Sequence, residues 1–189
     1  MLPLAATLLL VIRTYDVFGV SPHDLEVARQ TADGALRAAG LETSWTACQT
    51  AGRRDEQPST GCELLPQSGE VVIRIVAEGR GSGDRSALGD AFVDTRHRQG
   101  VLATLYGGRI VAFAEQAGIE PGWLLGRALA HEVGHLLLGS AAHGSHGLMR
   151  AQWTLEELRR RIDADWLFSG ADAAAMQAGL KRRLRPPPA

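Results

Sequence analysis

The chain lacks what several function classes require. It has two cysteines in 189 residues and no CxxC pair, which excludes a cysteine-built zinc site. It has no excess of charge. Its 20 lysines and arginines meet 21 aspartates and glutamates, for a formal net charge of -1. That balance excludes a bulk attraction to nucleic acid or to an anionic membrane. No stretch reaches the ~18 apolar residues needed to span a bilayer. The glycine-rich stretch GRGSGDRSALG, Gly79–Gly89, has neither a GK[ST] ending nor GxGxxG spacing, so it is no phosphate-binding loop. No internal repeat is evident. Lysine is almost missing: Lys181 stands alone among arginines, a compositional bias with no mechanistic weight.

What is present fits one α+β domain. A chain that is 45% hydrophobic and 22% charged can bury a sizeable core. The expectation is a single domain over 1–189, with 186–189 a tail. Leu2–Ile12 reads either as the apolar part of an export signal or as the start of a first strand over Thr7–Val17. The strand is preferred, because no basic start and no small-residue cleavage site frame the apolar run. Residues 1–6 are then the candidate remnant of an export signal. Cys48 and Cys62 bracket a polar segment, CQTAGRRDEQPSTGC, suited to a disulfide across a surface loop. Such a bond implies an oxidising compartment, periplasmic or extracellular.

Strand patterns lie early and helix patterns late. Ser21-Pro22 opens a helix that Gly40 ends. LETSWTAC and EVVIRIVAE read as strands, and DAFVD and VLATLYGG as two more around a turn at TRHRQG. RIVAFAEQAG reads as a helix, followed by a second that begins at Pro121 and stops at Gly139. Thr154 with Glu157 is a capping box for a short helix, and SGADAAAMQAGLKRRL gives the last.

The chemistry sits in HEVGHLLLGSAAHGSHGLMR, His131–Arg150. His131 and His135 lie one helical turn apart, on one face. Two such imidazoles can share a zinc ion, with Glu132 beside it, about 100° around the helix. H-E-x-x-H is the signature in which that glutamate takes a proton from a metal-activated water. The helix is otherwise apolar, so burying these three groups is costly unless something satisfies them, and a metal does. A catalytic zinc takes three protein ligands. His143 and His146 both lie beyond the glycine turn and compete for the third place, with Glu156 or Glu157 as a more distant alternative. The alternative to a site is three groups that serve only packing.

The stretch HEVGHLLLGSAAH followed by GLM resembles the metzincin clan of zinc metallopeptidases, whose signature is H-E-x-x-H-x-x-G-x-x-H with a downstream Met-turn. Here Gly139 stands four residues after His135 rather than three, and His143 eight rather than six. No tyrosine stands two residues beyond Met149. The run through GLMRAQW looks more like a group of uncharacterised predicted bacterial metallopeptidases with an H-E-[IV]-G-H-L-L-L-G motif. The resemblance implies a zincin/metzincin-like domain, with a mixed β-sheet packed against an N-terminal helix and the active-site helix, and helices at the C-terminal end. It implies one catalytic Zn2+ on His131, His135 and His143, Glu132 as general base, and Met149 in a Met-turn. It also implies an edge strand within Leu88–Gly108 that lines the cleft and pairs with an extended peptide. Tyr106 and Arg150 are the only candidates for stabilising an oxyanion.

The resulting expectation is an exported zinc metalloendopeptidase acting on peptides or proteins, with a cytoplasmic location still open. The competing expectation is a zinc-stabilised binding module with little or no catalysis. Retention of Glu132 favours the first, because a purely structural zinc site has no use for it.

Overall fold

The structure is a computed structural model that describes residues 8–50, 61–78, 86–160 and 162–185. The expectations for residues 1–6, for the tail 186–189, for most of the intercysteine loop and for 79–85 lie outside the described residues.

Strand β1 (Leu9–Asp16) runs between β2 (Glu42–Thr50) and β3 (Glu70–Val76), parallel to both. Its end is set by Asp16, whose carboxylate accepts the backbone N–H groups of Gly19 and Val20 at 2.9 Å each. A β5 strand (Gln99–Tyr106) adds parallel to β3, and β4 (Gly89–Asp94) closes the row antiparallel to β5. The order is β2-β1-β3-β5-β4, so β4 is an edge strand. Side chains alternate between faces along each strand. Registered neighbours Ile12 and Val71, Ile73 and Ala103, and Ile75 and Leu105 are therefore buried together on one face.

Two helices cover that face. In α1 (Pro22–Ala38), the Ser21 hydroxyl accepts the Asp24 N–H at 3.0 Å, and Ala28, Ala32, Ala35 and Leu36 are buried. Helix α3 (Pro121–Leu138) is buried nearly all round, as a helix packed between a sheet and other helices must be. Helix α2 (Gly107–Ala117) precedes it. Sequence pattern alone assigned Gly107 and Gly108 to the preceding strand. In the fold they start α2, with the Gly108 N–H donated to the Ala77 carbonyl at 3.0 Å. Helix α4 (Leu155–Arg160) carries the expected capping box, with Thr154 and Glu157 bonded reciprocally. A 3-10 turn, Asp163–Trp166, was not anticipated; it buries Trp166. Helix α5 (Gly170–Leu184) ends the described chain. No helix among the described residues is long and apolar enough to cross a membrane.

The opposite face of β1 holds the segment Gly61–Leu64. Arg13 donates to the carbonyls of Gly61 and Leu64 at 2.9 and 2.8 Å and pairs with Glu70. The Tyr15 hydroxyl donates to the Cys62 carbonyl at 2.8 Å. Cys48 and Cys62 form a disulfide across a sequence separation of 14. Replacing both cysteines by alanine is expected to lower unfolding free energy by about 3 kcal/mol in urea titrations while leaving the far-UV circular dichroism intact. An unchanged midpoint would show that the side chains of Arg13 and Tyr15 hold Gly61–Leu64 unaided.

Candidate metal centre

Helix α3 begins at Pro121, whose fixed φ suits a first turn, and ends at Gly139 in the left-handed region with φ 63°. A side chain at 139 would also collide with the backbone of Arg98 in the β4–β5 turn. The chain therefore leaves the helix sharply and doubles back. Ser140, one residue on, places its carbonyl 2.8 Å from Nδ1 of His135. Further along, the Leu148 carbonyl lies 2.8 Å from Nδ1 of His131.

These two contacts fix the tautomers. A carbonyl oxygen only accepts, so each Nδ1 carries the proton and each Nε2 presents a lone pair. Yet Nε2 of His135 lies 3.0 Å from Nε2 of His131 and 3.3 Å from Nε2 of His143. Facing lone pairs repel unless a cation stands between them. Tetrahedral ligands about 2.0–2.1 Å from one zinc ion sit about 3.3 Å from each other. The three imidazoles fit a metal of that kind, and their ligand atoms all lie within 4.8 Å of one another. Burial holds His131 at about 4, well below an ordinary histidine, and also lowers His135 and His143, which favours the neutral forms that metal binding requires.

The third imidazole comes from the return loop. His143 is exposed but rests against both helical histidines, its ring 4.7 Å from that of His135 and 5.3 Å from that of His131. Its position is held by its neighbour, because the Gly144 N–H donates to the Met149 carbonyl at 2.8 Å. His146 is exposed, with Nδ1 3.1 Å from the Ser145 hydroxyl, and lies outside the cluster. Glu156 is exposed, and Glu157 is engaged with Thr154 and Arg150. Met149 is buried beneath α3, and a Cβ at Gly134 would come within 2.6 Å of its sulfur. The turn thus packs directly under the helix segment that bears the histidines.

Glu132 is buried beside His131. Burial, and secondarily the nearby Asp90 carboxylate, push its carboxyl up to about 8. A dication on the three imidazoles would act in the opposite sense, favouring the ionised form. The edge strand touches this residue: a Cβ at Gly89 would lie 2.9 Å from Glu132 Oε1. Gly89 is a site residue that the sequence reading missed, its only signal being a glycine at the head of an edge strand. Both oxyanion candidates have protein partners, while Nη2 of Arg150, a residue of the cavity wall, has no hydrogen-bond partner among the described residues. The Tyr106 hydroxyl donates to Asp90, and the Arg150 guanidinium donates to the carbonyls of Gly147 and Asp165 at 2.9 Å each.

A cavity of about 720 Å³ opens beside the cluster. It is bounded by Leu88 and Gly89, by Ala112 and Phe113 of α2, by Ala128 of α3 and by Arg150–Thr154, and reaches His131, Glu132 and His143. Trp153, on its wall, stands edge-on to the His131 ring at 5.7 Å.

Archaemetzincin from Methanopyrus kandleri has a similar fold, with a TM-score of 0.59 and 15% sequence identity over 96% of this chain and 100% of that chain. No protein-family model matches the chain, and no curated protein does. The metzincin-like α+β architecture expected from the histidine motif is thus the architecture found.

The buried carboxyl gives a test of the site without metal. Folded Glu132 holds its proton to about 8, whereas an exposed carboxyl releases it near 4.5. The folded state therefore binds the extra proton between these values, and that contribution to stability is lost as pH rises through about 8. Glu132→Gln in chelator-treated protein is expected to raise the melting temperature at pH 9 by at least about 2–4 °C and to leave it unchanged at pH 4. Equal melting at pH 9 would mean that the carboxyl is solvated.

Proposed function

We propose that this chain is a zinc-dependent peptidase that uses His131, His135 and His143 as ligands to one Zn2+ and Glu132 as general base. The observation that carries this reading is the meeting of three imidazole Nε2 atoms at 3.0 and 3.3 Å, those of His131 and His135 proton-free, with a buried carboxyl on the same helix. A bound zinc would supply Lewis acidity, polarising a peptide carbonyl and activating water. Glu132 would accept the proton from the attacking water and pass it to the departing amine. The edge strand β4 supports the same reading. One side of it pairs with β5, its other side pairs with no strand among the described residues, and a Cβ at Gly89, at its head, would meet Glu132. An extended peptide adding to that edge would bring its carbonyls alongside the base. The cavity would receive one substrate side chain.

The metzincin-like resemblance of the motif and the archaemetzincin-like fold support this assignment. We further propose that residues 1–189 make a single metallopeptidase-like domain acting on peptides or proteins. We assign it to an oxidising compartment outside the cytoplasm on the strength of the Cys48–Cys62 disulfide, and to a bacterial cell on the resemblance of its motif alone. Met149 would form the apolar floor of the metal centre.

Purified protein is expected to hold one zinc per chain and to cleave members of a mixed peptide library. Glu132→Gln should keep the zinc and lose about 10²–10⁴-fold in kcat/KM. His143→Ala should lose zinc, and His146→Ala should keep it. Absence of zinc from the wild type, or loss of zinc in His146→Ala alone, would contradict the assignment. Zinc retained with no cleavage by wild type would turn the reading to a zinc-stabilised binding module.

A further inference from the structure

Arg150 directly follows Met149 and lines the cavity, and its guanidinium is tied to its own turn and to the segments packed against it. Its Nη1 donates to the Gly147 carbonyl, inside its own turn, and to the Asp165 carbonyl, across in the 3-10 segment. Its Nε lies 3.4 Å from Glu157 at the start of α4. The plane sits 4.5 Å from the Trp166 ring centroid, and the Arg127 guanidinium of α3 stacks on the same ring at 3.8 Å. Arg127 is one helical turn before His131. Through Trp166, Arg150 therefore fixes its turn against the helix that carries two of the imidazoles.

That turn does two things for the metal centre. Its Leu148 carbonyl holds Nδ1 of His131 at 2.8 Å, and its Met149 carbonyl holds Gly144, the residue after His143, at 2.8 Å. We infer that Arg150 is the positioning residue of the metal centre, clamping the one turn that aims both His131 and His143. This rests on the zinc-site reading above and deepens it. No contact of Arg150 with metal or substrate is involved. The partners that orient ligands from behind are typically worth about 10–100-fold in metal affinity.

The test uses the whole chain and zinc itself. Zinc affinity is measured by competition with a chromophoric chelator for wild type, Arg150→Met, Arg150→Lys and Arg159→Met. In parallel, nitrogen-15 spectra of the metal-free histidines report whether His131 keeps its Nδ1–H tautomer. Arg150→Met is expected to bind zinc about 10–100-fold more weakly and to show tautomer exchange at His131. Arg150→Lys keeps the charge and one donor, and should recover part of the affinity. It decides the matter if the methionine variant fails to fold. Arg159, which donates to the carbonyls of Gln116 and Ala117 from α4, is the control for a merely structural arginine. Its loss should lower the melting temperature and leave zinc affinity unchanged. Zinc affinity and His131 tautomer unchanged in the Arg150 variants that fold would overturn the inference while leaving the zinc site standing. A wild type that binds no zinc would overturn the site and the inference together.

Discussion

Two backbone carbonyls, those of Leu148 and Ser140, accept the Nδ1–H of His131 and His135, and the rest of the centre depends on that pair of hydrogen bonds. They commit each imidazole to one tautomer and turn each free lone pair toward the same point. They also explain why two basic groups can be buried in an otherwise apolar helix, since each ring then keeps one satisfied nitrogen and one available for a metal. The loop that supplies both carbonyls is the loop that returns His143. The third imidazole and the two orienting carbonyls thus come from one reversal of the chain, made possible by Gly139.

The electrostatics follow from the same enclosure. Burial drives the three histidines toward neutrality and Glu132 toward protonation, so the metal-free centre carries little charge. A dication restores the balance by favouring lone pairs and carboxylate together. Strand β4 belongs to this arrangement as well. Its place at the sheet edge brings Gly89 against Glu132 and onto the wall of the cavity.

Much of the fold was legible from local pattern. Helix α3 could be bounded to the residue, because Pro121 and Gly139 are opposite kinds of helix punctuation. The capping box at Thr154 and the cysteine loop were equally readable, as each depends on chemistry carried by its own few residues. Contacts between distant segments were not readable. Nothing in the sequence says that Leu148 rather than a neighbour offers its carbonyl to His131, or that Trp166 lies between two guanidinium groups. The competition between His143 and His146 was open for the same reason, since loop spacing fixes neither the path of the chain nor the direction of a side chain. The charge of Arg150 is visible in sequence, but the carbonyls of Gly147 and Asp165 to which it donates are not.

The most direct test of the account is X-ray absorption at the zinc edge of the purified, zinc-loaded protein. Three imidazole rings contribute a distinctive outer-shell scattering pattern that carboxylate or water ligands do not. The account predicts three imidazoles in a first shell of nitrogen and oxygen at about 2.0–2.1 Å. A shell with two imidazoles or fewer, or with sulfur, would contradict it.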